Sequence, residues 1–347
     1  MTTASPERID ILRSGLDGVE ITLHKKLPIM FIFTLIYVLL TSLILTFSSE
    51  FTYWYGHEFN IILMILYYSI ATYAFLWVIQ KFKIQNFPGL FIAATIFSYL
   101  VEGGLFGVLL YEGGLFSTWG IIYPPGSHGL ISVMLGFYYF RKLMLENRMV
   151  SLSMWCIGYG IYWGLWTPAY WLEKSTDFAI TEVWPLETFL MYAFFITFFF
   201  ALSHYLLGWF RSIQFPKWLN ITAMIIGLVL LSLTFIGVPF APLKILPLVG
   251  ILIFVLVIYK KRQKGNTNMI ELLEGKIPLS RVLPLFIMPL IASIIYMFAL
   301  DSWSMEFIEE YIVTFVAGPQ AVLGAVCLVL AIVFSVMVTK PVKIVKK

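Results

Sequence analysis

Apolar runs of about twenty residues, separated by short polar loops, dominate this chain from Leu27 onward. A helical run of that length spans the hydrocarbon core of a bilayer, about 30 Å at 1.5 Å of rise per residue. Only 12% of the residues are charged, about half the share usual in a soluble domain. These features predict an all-α, polytopic membrane protein. We expect membrane lipids among its partners. No nucleic-acid-binding module is visible, so we expect no nucleic-acid partner.

The runs predict about ten transmembrane helices in a single bundle over residues 27–339. An amphipathic N-terminal segment (1–26) precedes the bundle, and a basic tail (340–347) follows it. We expect the spans at 27–48, 60–80, 88–111, 127–145, 149–170, 185–208, 219–239, 244–260, 282–302 and 311–339.

Lys and Arg fall almost entirely on one side of this layout. All but two of the 23 lie in the tails and alternate loops of one face, the exceptions being Lys174 and Lys244. Cytoplasmic loops of membrane proteins carry such an excess, so both termini are predicted to be cytoplasmic. We expect the protein in the plasma membrane of a prokaryote. Most of the acids, Glu50 among them, are assigned to the opposite, outer loops.

Glu102 is predicted to lie inside the third span, about 21 Å from the start of that helix. A carboxyl group at that depth is costly unless it has a partner. It is therefore either a site residue or a protonated acid hydrogen-bonded to a neighbouring helix.

Glu112 repeats the context of Glu102, because the pentapeptide EGGLF occurs at 102–106 and at 112–116. Ten helical residues separate the two acids by about 15 Å of rise, so they are expected at different depths. The glycines of the first copy favour close helix packing, with Gly160 and Gly164 as a candidate partner surface.

The segment from Gly113 to His128 is free of charge but broken by Pro124-Pro125-Gly126. Proline disfavours helix continuation, and Ser127 is suited to cap a new helix that begins at His128. This pattern predicts a partly re-entrant outer loop between spans three and four. The alternative is a surface loop and a longer helix, with Arg141 and Lys142 reaching the inner surface by snorkelling.

His128 and Glu187 complete the predicted site. His128 is placed in the first turn of span four, where the helix dipole disfavours a second positive charge and a neutral imidazole is expected. Glu187 lies in the first outer turn of span six, where the dipole favours an anion. Either residue also has a purely structural interpretation: a satisfied histidine and a helix-end acid.

An aromatic stripe in span five is the candidate substrate pocket. Its members lie on one helical face: Tyr159, Trp163, Trp166 and Tyr170. An interfacial aromatic belt with ordinary packing is the alternative interpretation.

Three function classes remain open. The first is an enzyme acting on a lipophilic substrate, a lipid or an isoprenoid, with Glu102, Glu112, His128 and Glu187 as its acid–base groups. A divalent metal held by Glu and His is a variant of it. The second is a proton- or cation-coupled transporter or channel. The third is a non-catalytic subunit or lipid-binding scaffold, in which the polar groups only join helices.

Overall fold

A computed structural model describes residues 27–51, 61–105, 122–169, 184–210, 268–302 and 318–337, and the single positions 215, 220, 250, 307, 315 and 316. Within these residues the fold is helical and contains no strand, which confirms the all-α prediction. Four described helices are long and apolar enough to cross a membrane: Phe31–Phe51, Leu186–Leu207, Leu279–Ser302 and Gly318–Ser335. The count of ten stays a prediction. The segments 1–26, 219–239, 244–260 and 340–347 lie almost wholly outside the described residues.

The first three helices pack in chain order, the first against the second and the second against the third. Helix α1 covers Leu27–Thr46 and continues as a π-helical turn, Phe47–Phe51. Helix α2 covers Ile61–Phe82. Helix α3 covers Phe87–Tyr99 and continues as a second π-helical segment, Leu100–Leu105.

Local sequence explains where α3 begins. The Asn86 side chain accepts a hydrogen bond from the Gly89 amide at 3.0 Å, and Pro88 occupies the first turn, where no amide donor is required.

Helix α4 differs from its prediction. It comprises a long π-helical segment, Pro125–Tyr139, and an α-helical end, Phe140–Leu145, and residues 122–124 are already helical. The proline pair therefore lies in the first turns and does not break the helix there. Ser127 is not a cap, since its hydroxyl donates back to the carbonyls of Tyr123 and Pro124. The described part of the predicted re-entrant loop, 122–126, is helical, and 106–121 lie outside the described residues.

The remaining helices complete the described bundle. Helix α5 covers Met149–Trp166 and ends in a 3₁₀ turn, Thr167–Ala169. Helix α6 covers Leu186–Leu207, and the short α7 covers Met269–Leu272. Helix α8 begins with 3₁₀ turns at Leu279–Arg281 and Leu283–Phe286 and continues as Ile287–Ser302, and α9 covers Gly318–Met337.

Helix α4 occupies the centre, packed against α1, α3 and α9. Two glycines allow these close approaches. A Cβ atom at Gly126 would collide with the Gln320 carbonyl of α9, and one at Gly136 would collide with the Ser48 hydroxyl of α1. The glycines therefore fix how deeply α4 sits among its neighbours.

Arg141 anchors the opposite end of α4. Its guanidinium is buried and donates to the carbonyls of Leu273 (2.8 Å), His204 (2.7 Å) and Gly275 (3.3 Å). The last carbonyls of a helix have no partner within the helix, and His204 lies in the last turn of α6. Arg141 is thus an internal clamp and not a snorkelling residue, whereas Lys142 is partly exposed.

Gly160 and Gly164 on α5 do pack closely, but their described contacts are with α8. A Cβ atom at Gly164 would lie 2.8 Å from the Ala292 carbonyl, and one at Gly160 would lie 2.7 Å from the Met288 carbonyl. Gly160 and Gly164 therefore form the expected surface for close helix packing. In the described residues its partner is α8 and not the glycines of the EGGLF segment.

Gly164→Ala is expected to lower stability in detergent by about 1–3 kcal/mol, because the added methyl group forces α5 and α8 apart. Gly158→Ala on the same helix is the control, since nothing lies within 4 Å of its Cβ position. That control should be neutral or stabilising by about 1 kcal/mol, the helix-propensity gain. Thermal unfolding of both variants measures the difference. Equal melting temperatures would contradict the packing described.

Candidate functional site

Three ionisable side chains meet where α1, α3 and α4 converge. The His128 Nε2 atom lies 2.6 Å from Glu102 Oε1 and 3.8 Å from Glu50 Oε1. All three residues are buried, at 2%, 8% and 7% exposure for His128, Glu102 and Glu50. Burying an ionisable group is costly without compensating bonds, so this cluster must be satisfied internally.

Tyr68 on α2 links the two ends of this cluster. Its hydroxyl donates to Glu50 Oε1 at 2.6 Å and lies 3.3 Å from His128 Nδ1. The Ser49 hydroxyl lies 2.9 Å from the Tyr68 hydroxyl oxygen. We refer to Glu50, Tyr68, Glu102 and His128 as the buried cluster.

The bonding pattern determines where the protons lie. Tyr68 has one proton and donates it to Glu50, so its oxygen is an acceptor toward His128. Nδ1 therefore carries a proton. The 2.6 Å contact on the other side of the ring then holds one further proton, either on Nε2 or on Glu102. The pair can therefore be a His128 imidazolium with a Glu102 carboxylate, or a neutral imidazole with a carboxylic acid. Both forms contain the same number of protons.

The charge of the buried cluster therefore depends on the protons that it holds. The described Lys and Arg residues all lie at the opposite end of the bundle, around the Arg141 clamp: Lys81, Lys83, Arg141, Lys142, Arg148, Lys276 and Arg281. With one shared proton and an ionised Glu50, the cluster carries one net negative charge, and one more proton makes it neutral. The arrangement can take up and release a proton within the bundle.

Each ionisable member of the cluster lies in a π-helical segment. Glu50 belongs to Phe47–Phe51, Glu102 to Leu100–Leu105 and His128 to Pro125–Tyr139. π-Helical winding is rare, since its i→i+5 bonds pack the backbone poorly, and it is found frequently at functional sites. The two carboxyl groups carried by these segments both lie within 3.8 Å of His128 Nε2.

Small residues around His128 bring it to Glu102. A Cβ atom at Gly129 would lie 3.2 Å from the Ser98 hydroxyl of α3. On the other side, Gly324 of α9 meets the backbone of Gly126. Because Gly129 has no side chain, α4 approaches α3 closely enough for His128 to contact Glu102, while Gly126 lets the same part of α4 pack on α9.

The structure brings Glu102 and His128 into direct contact but not all four predicted acid–base residues. Glu187 is exposed in the first turn of α6 and does not belong to the buried cluster. Glu112 lies outside the described residues. The catalytic roles assigned to these four residues stay predictions.

The described members of the aromatic stripe are buried in the core. The Tyr159 hydroxyl donates to the Ser48 carbonyl at 2.9 Å, and Trp163 contacts Phe47 edge-to-face with ring centroids 5.5 Å apart. Trp166 stacks on Tyr162, and Tyr170 lies outside the described residues. The stripe joins α5 to the π-helical turn that carries Glu50. Its role as a substrate pocket stays a prediction.

Sequence reasoning missed Glu50 and Tyr68. Glu50 was assigned to an outer loop, because the first apolar run ends near Phe47. A signal was present: Thr34, Thr41 and Ser48 recur every seven residues along α1 and are all buried. A polar face that extends through a span indicates that the next acid continues inside the bundle. Tyr68 lies in an ordinary aromatic-rich run and gave no comparable signal.

No group of three His, Cys, Asp or Glu side chains among the described residues is arranged to hold a metal ion. In the buried cluster the donor atoms are directed at one another. The 2.6 Å contact of His128 with Glu102 is a hydrogen-bond length. The divalent metal considered from sequence stays an expectation.

Comparisons with protein families, with characterised proteins and with solved structures find no match to this chain.

Tyr68→Phe is expected to destabilise the protein by about 1–3 kcal/mol, because it removes a buried donor to Glu50 while keeping the ring. Tyr67→Phe, at the neighbouring and less buried position, is the matched control and should change stability little. Chemical denaturation in detergent compares the two. A Tyr68→Phe variant as stable as the control would mean that the cluster is not bonded as described.

Proposed function

We propose that this chain is a membrane transport protein coupled to proton movement, in which the Glu102–His128 pair takes up and releases the coupling proton. The observation that carries the proposal is the 2.6 Å contact between Glu102 Oε1 and His128 Nε2 inside the bundle. Chains of Glu, Asp and His within membrane helices serve as proton relays in pumps and transporters.

Two further features support a proton-handling role. Tyr68 connects the pair to Glu50, so that the cluster has two carboxyl groups, one imidazole and one hydroxyl in continuous hydrogen-bond reach. The four apolar helices of spanning length agree with a membrane location. An even number of about ten spans, as the charge pattern predicts, is common among carriers.

Glu102→Gln is expected to abolish coupled proton movement, since an amide cannot share the proton with His128. Purified protein in lipid vesicles with a trapped pH dye would receive external pulses of alkali cations, alkaline-earth cations, amino acids or sugars. A solute that changes the internal pH in wild type should have no effect in Glu102→Gln or His128→Gln.

Glu187→Gln is the matched acid control, because Glu187 is exposed and lies outside the buried cluster. It should retain the solute-dependent pH change of wild type. Wild-type vesicles that give no pH change with any pulse, or full activity in Glu102→Gln, would argue against the proposal.

A second candidate is an enzyme that acts on a lipophilic substrate. The specific observation in its favour is the apolar surround of the acid–base pair: the Phe97 ring centroid lies 6.4 Å from that of His128. A carboxyl–imidazole pair in such a setting suits general acid–base catalysis. Under this function Glu102→Gln changes the lipids or metals that co-purify with the protein, measured by mass spectrometry. Unchanged profiles would exclude it.

A further inference from the structure

Buried hydroxyl groups in these helices usually bond to a carbonyl one turn earlier. Thr46, Ser48, Thr95, Ser98 and Thr167 all donate to the carbonyl of residue i−4, at 2.7–3.0 Å. This local bond satisfies the side chain without any partner from another helix.

Six buried hydroxyls depart from this pattern and have no partner among the described residues. Two of them, Ser293 and Ser335, are slightly exposed, and four are fully buried: Thr41, Thr72, Ser132 and Thr197. Leaving such a group unsatisfied costs about 1–3 kcal/mol. Each of the four fully buried hydroxyls belongs to a different helix, namely α1, α2, α4 and α6. Buried polar atoms without a protein partner are the usual positions of internal water.

Ser132 lies between two functional positions on α4. It follows His128 by four residues and precedes Gly136 by four, so the three share one face of the helix. The Gly136 carbonyl faces α6, where it is bonded to His204 Nε2 at 3.1 Å. A line along this face thus leads from the buried cluster to His204.

His204, whose Nε2 atom meets this line at Gly136, also has an unused acceptor. Nε2 must carry the ring proton because it donates to a carbonyl, so Nδ1 presents a lone pair. That Nδ1 atom is buried and has no partner among the described residues. An acceptor in this position requires a donor, and a water molecule can supply one.

Three of the unpartnered hydroxyls lie on the helices that carry Ser48, Tyr68 and His204. Thr41 lies seven residues before Ser48, which contacts Gly136, so it occupies the same face of α1. Thr72 follows Tyr68 by one turn of α2, and Thr197 precedes His204 by two turns of α6. A buried water needs two to four polar partners, and unpartnered hydroxyls are groups that can serve as such partners.

We propose that a file of internal water runs along α4 from His128 past Ser132 to His204, and that His204 Nδ1 accepts a hydrogen bond from the last water. Eight residues of a π-helical segment separate His128 from Gly136, so their separation along the axis is below the roughly 12 Å that the same number of α-helical residues would rise. With oxygen–oxygen distances of about 2.8 Å, about two waters and the Ser132 hydroxyl fill that distance. As a hydration site the file rests on the geometry alone; as a route for the proton it rests on the function proposed above.

The test is transfer of magnetisation from water to the histidine rings, measured by solid-state NMR on protein in lipid bilayers. The chain has four histidines, so labelling with ¹⁵N-histidine gives few signals, and His204→Gln and His128→Gln assign two of them. The His204 Nδ1 signal should show a hydrogen-bonded acceptor that receives magnetisation from water rapidly. A His204 ring without water transfer in wild type overturns the proposal.

A pair of equally shaped variants at Ser132 isolates its hydroxyl. Ser132→Val should slow transfer to His204 several-fold, whereas Ser132→Thr, which has the same shape and keeps the hydroxyl, should retain it. Thr95→Val is a control in a buried position whose hydroxyl is already bonded to the Phe91 carbonyl, and it should leave His204 unchanged. Equal transfer in the Val and Thr variants would remove Ser132 from the file.

The outcomes separate this inference from the proposed function. Water at His204 in a protein that gives no solute-dependent proton movement would keep the hydration site and reject proton coupling. Proton movement with a dry His204 would keep the coupling and reject this route.

Discussion

The contact between Glu102 and His128 is the constraint on which this bundle depends. A carboxyl group and an imidazole buried among apolar helices are stable only if they satisfy one another, so α3 and α4 must meet at one register. Gly129 permits that register, because it has no side chain where α4 faces Ser98 of α3. The close packing of α4 against α3 is thus tied to the burial of a single polar pair.

The π-helical segments of α1, α3 and α4 meet at the same place. The ends of α1 and α3 and most of α4 are π-helical, and these segments carry Glu50, Glu102 and His128. The opposite end of the bundle is held differently. There, the buried guanidinium of Arg141 joins three backbone carbonyls at the ends of helices and turns. One end is therefore held by hydrogen bonds from a permanently charged guanidinium to backbone carbonyls. The other end can change its charge by gaining or losing a proton.

Between the two ends lie buried polar groups that have no partner among the described residues. Ser132 and the Nδ1 atom of His204 are both buried and lie on the same line along α4. Buried polar atoms that lack a protein partner are the usual positions of internal water, so these two groups mark a location suited to it. The proton-handling cluster and the proposed water file are consistent with one mechanism, in which the cluster binds a proton and the file leads it through the bundle.

The sequence by itself determined the helical class, most boundaries of the described helices and the burial of Glu102, because apolar length and the cost of a buried acid are local properties. It also singled out His128. Only the tertiary structure decided that Glu50 lies inside the bundle and that Tyr68 joins it to His128. It also decided that Glu187 lies outside the buried cluster. These outcomes depend on how far α1 extends and on which helices become neighbours. The pattern of apolar residues determines neither the end of α1 nor the neighbours of a helix, because a lipid-facing and a core-facing aromatic residue look alike in sequence.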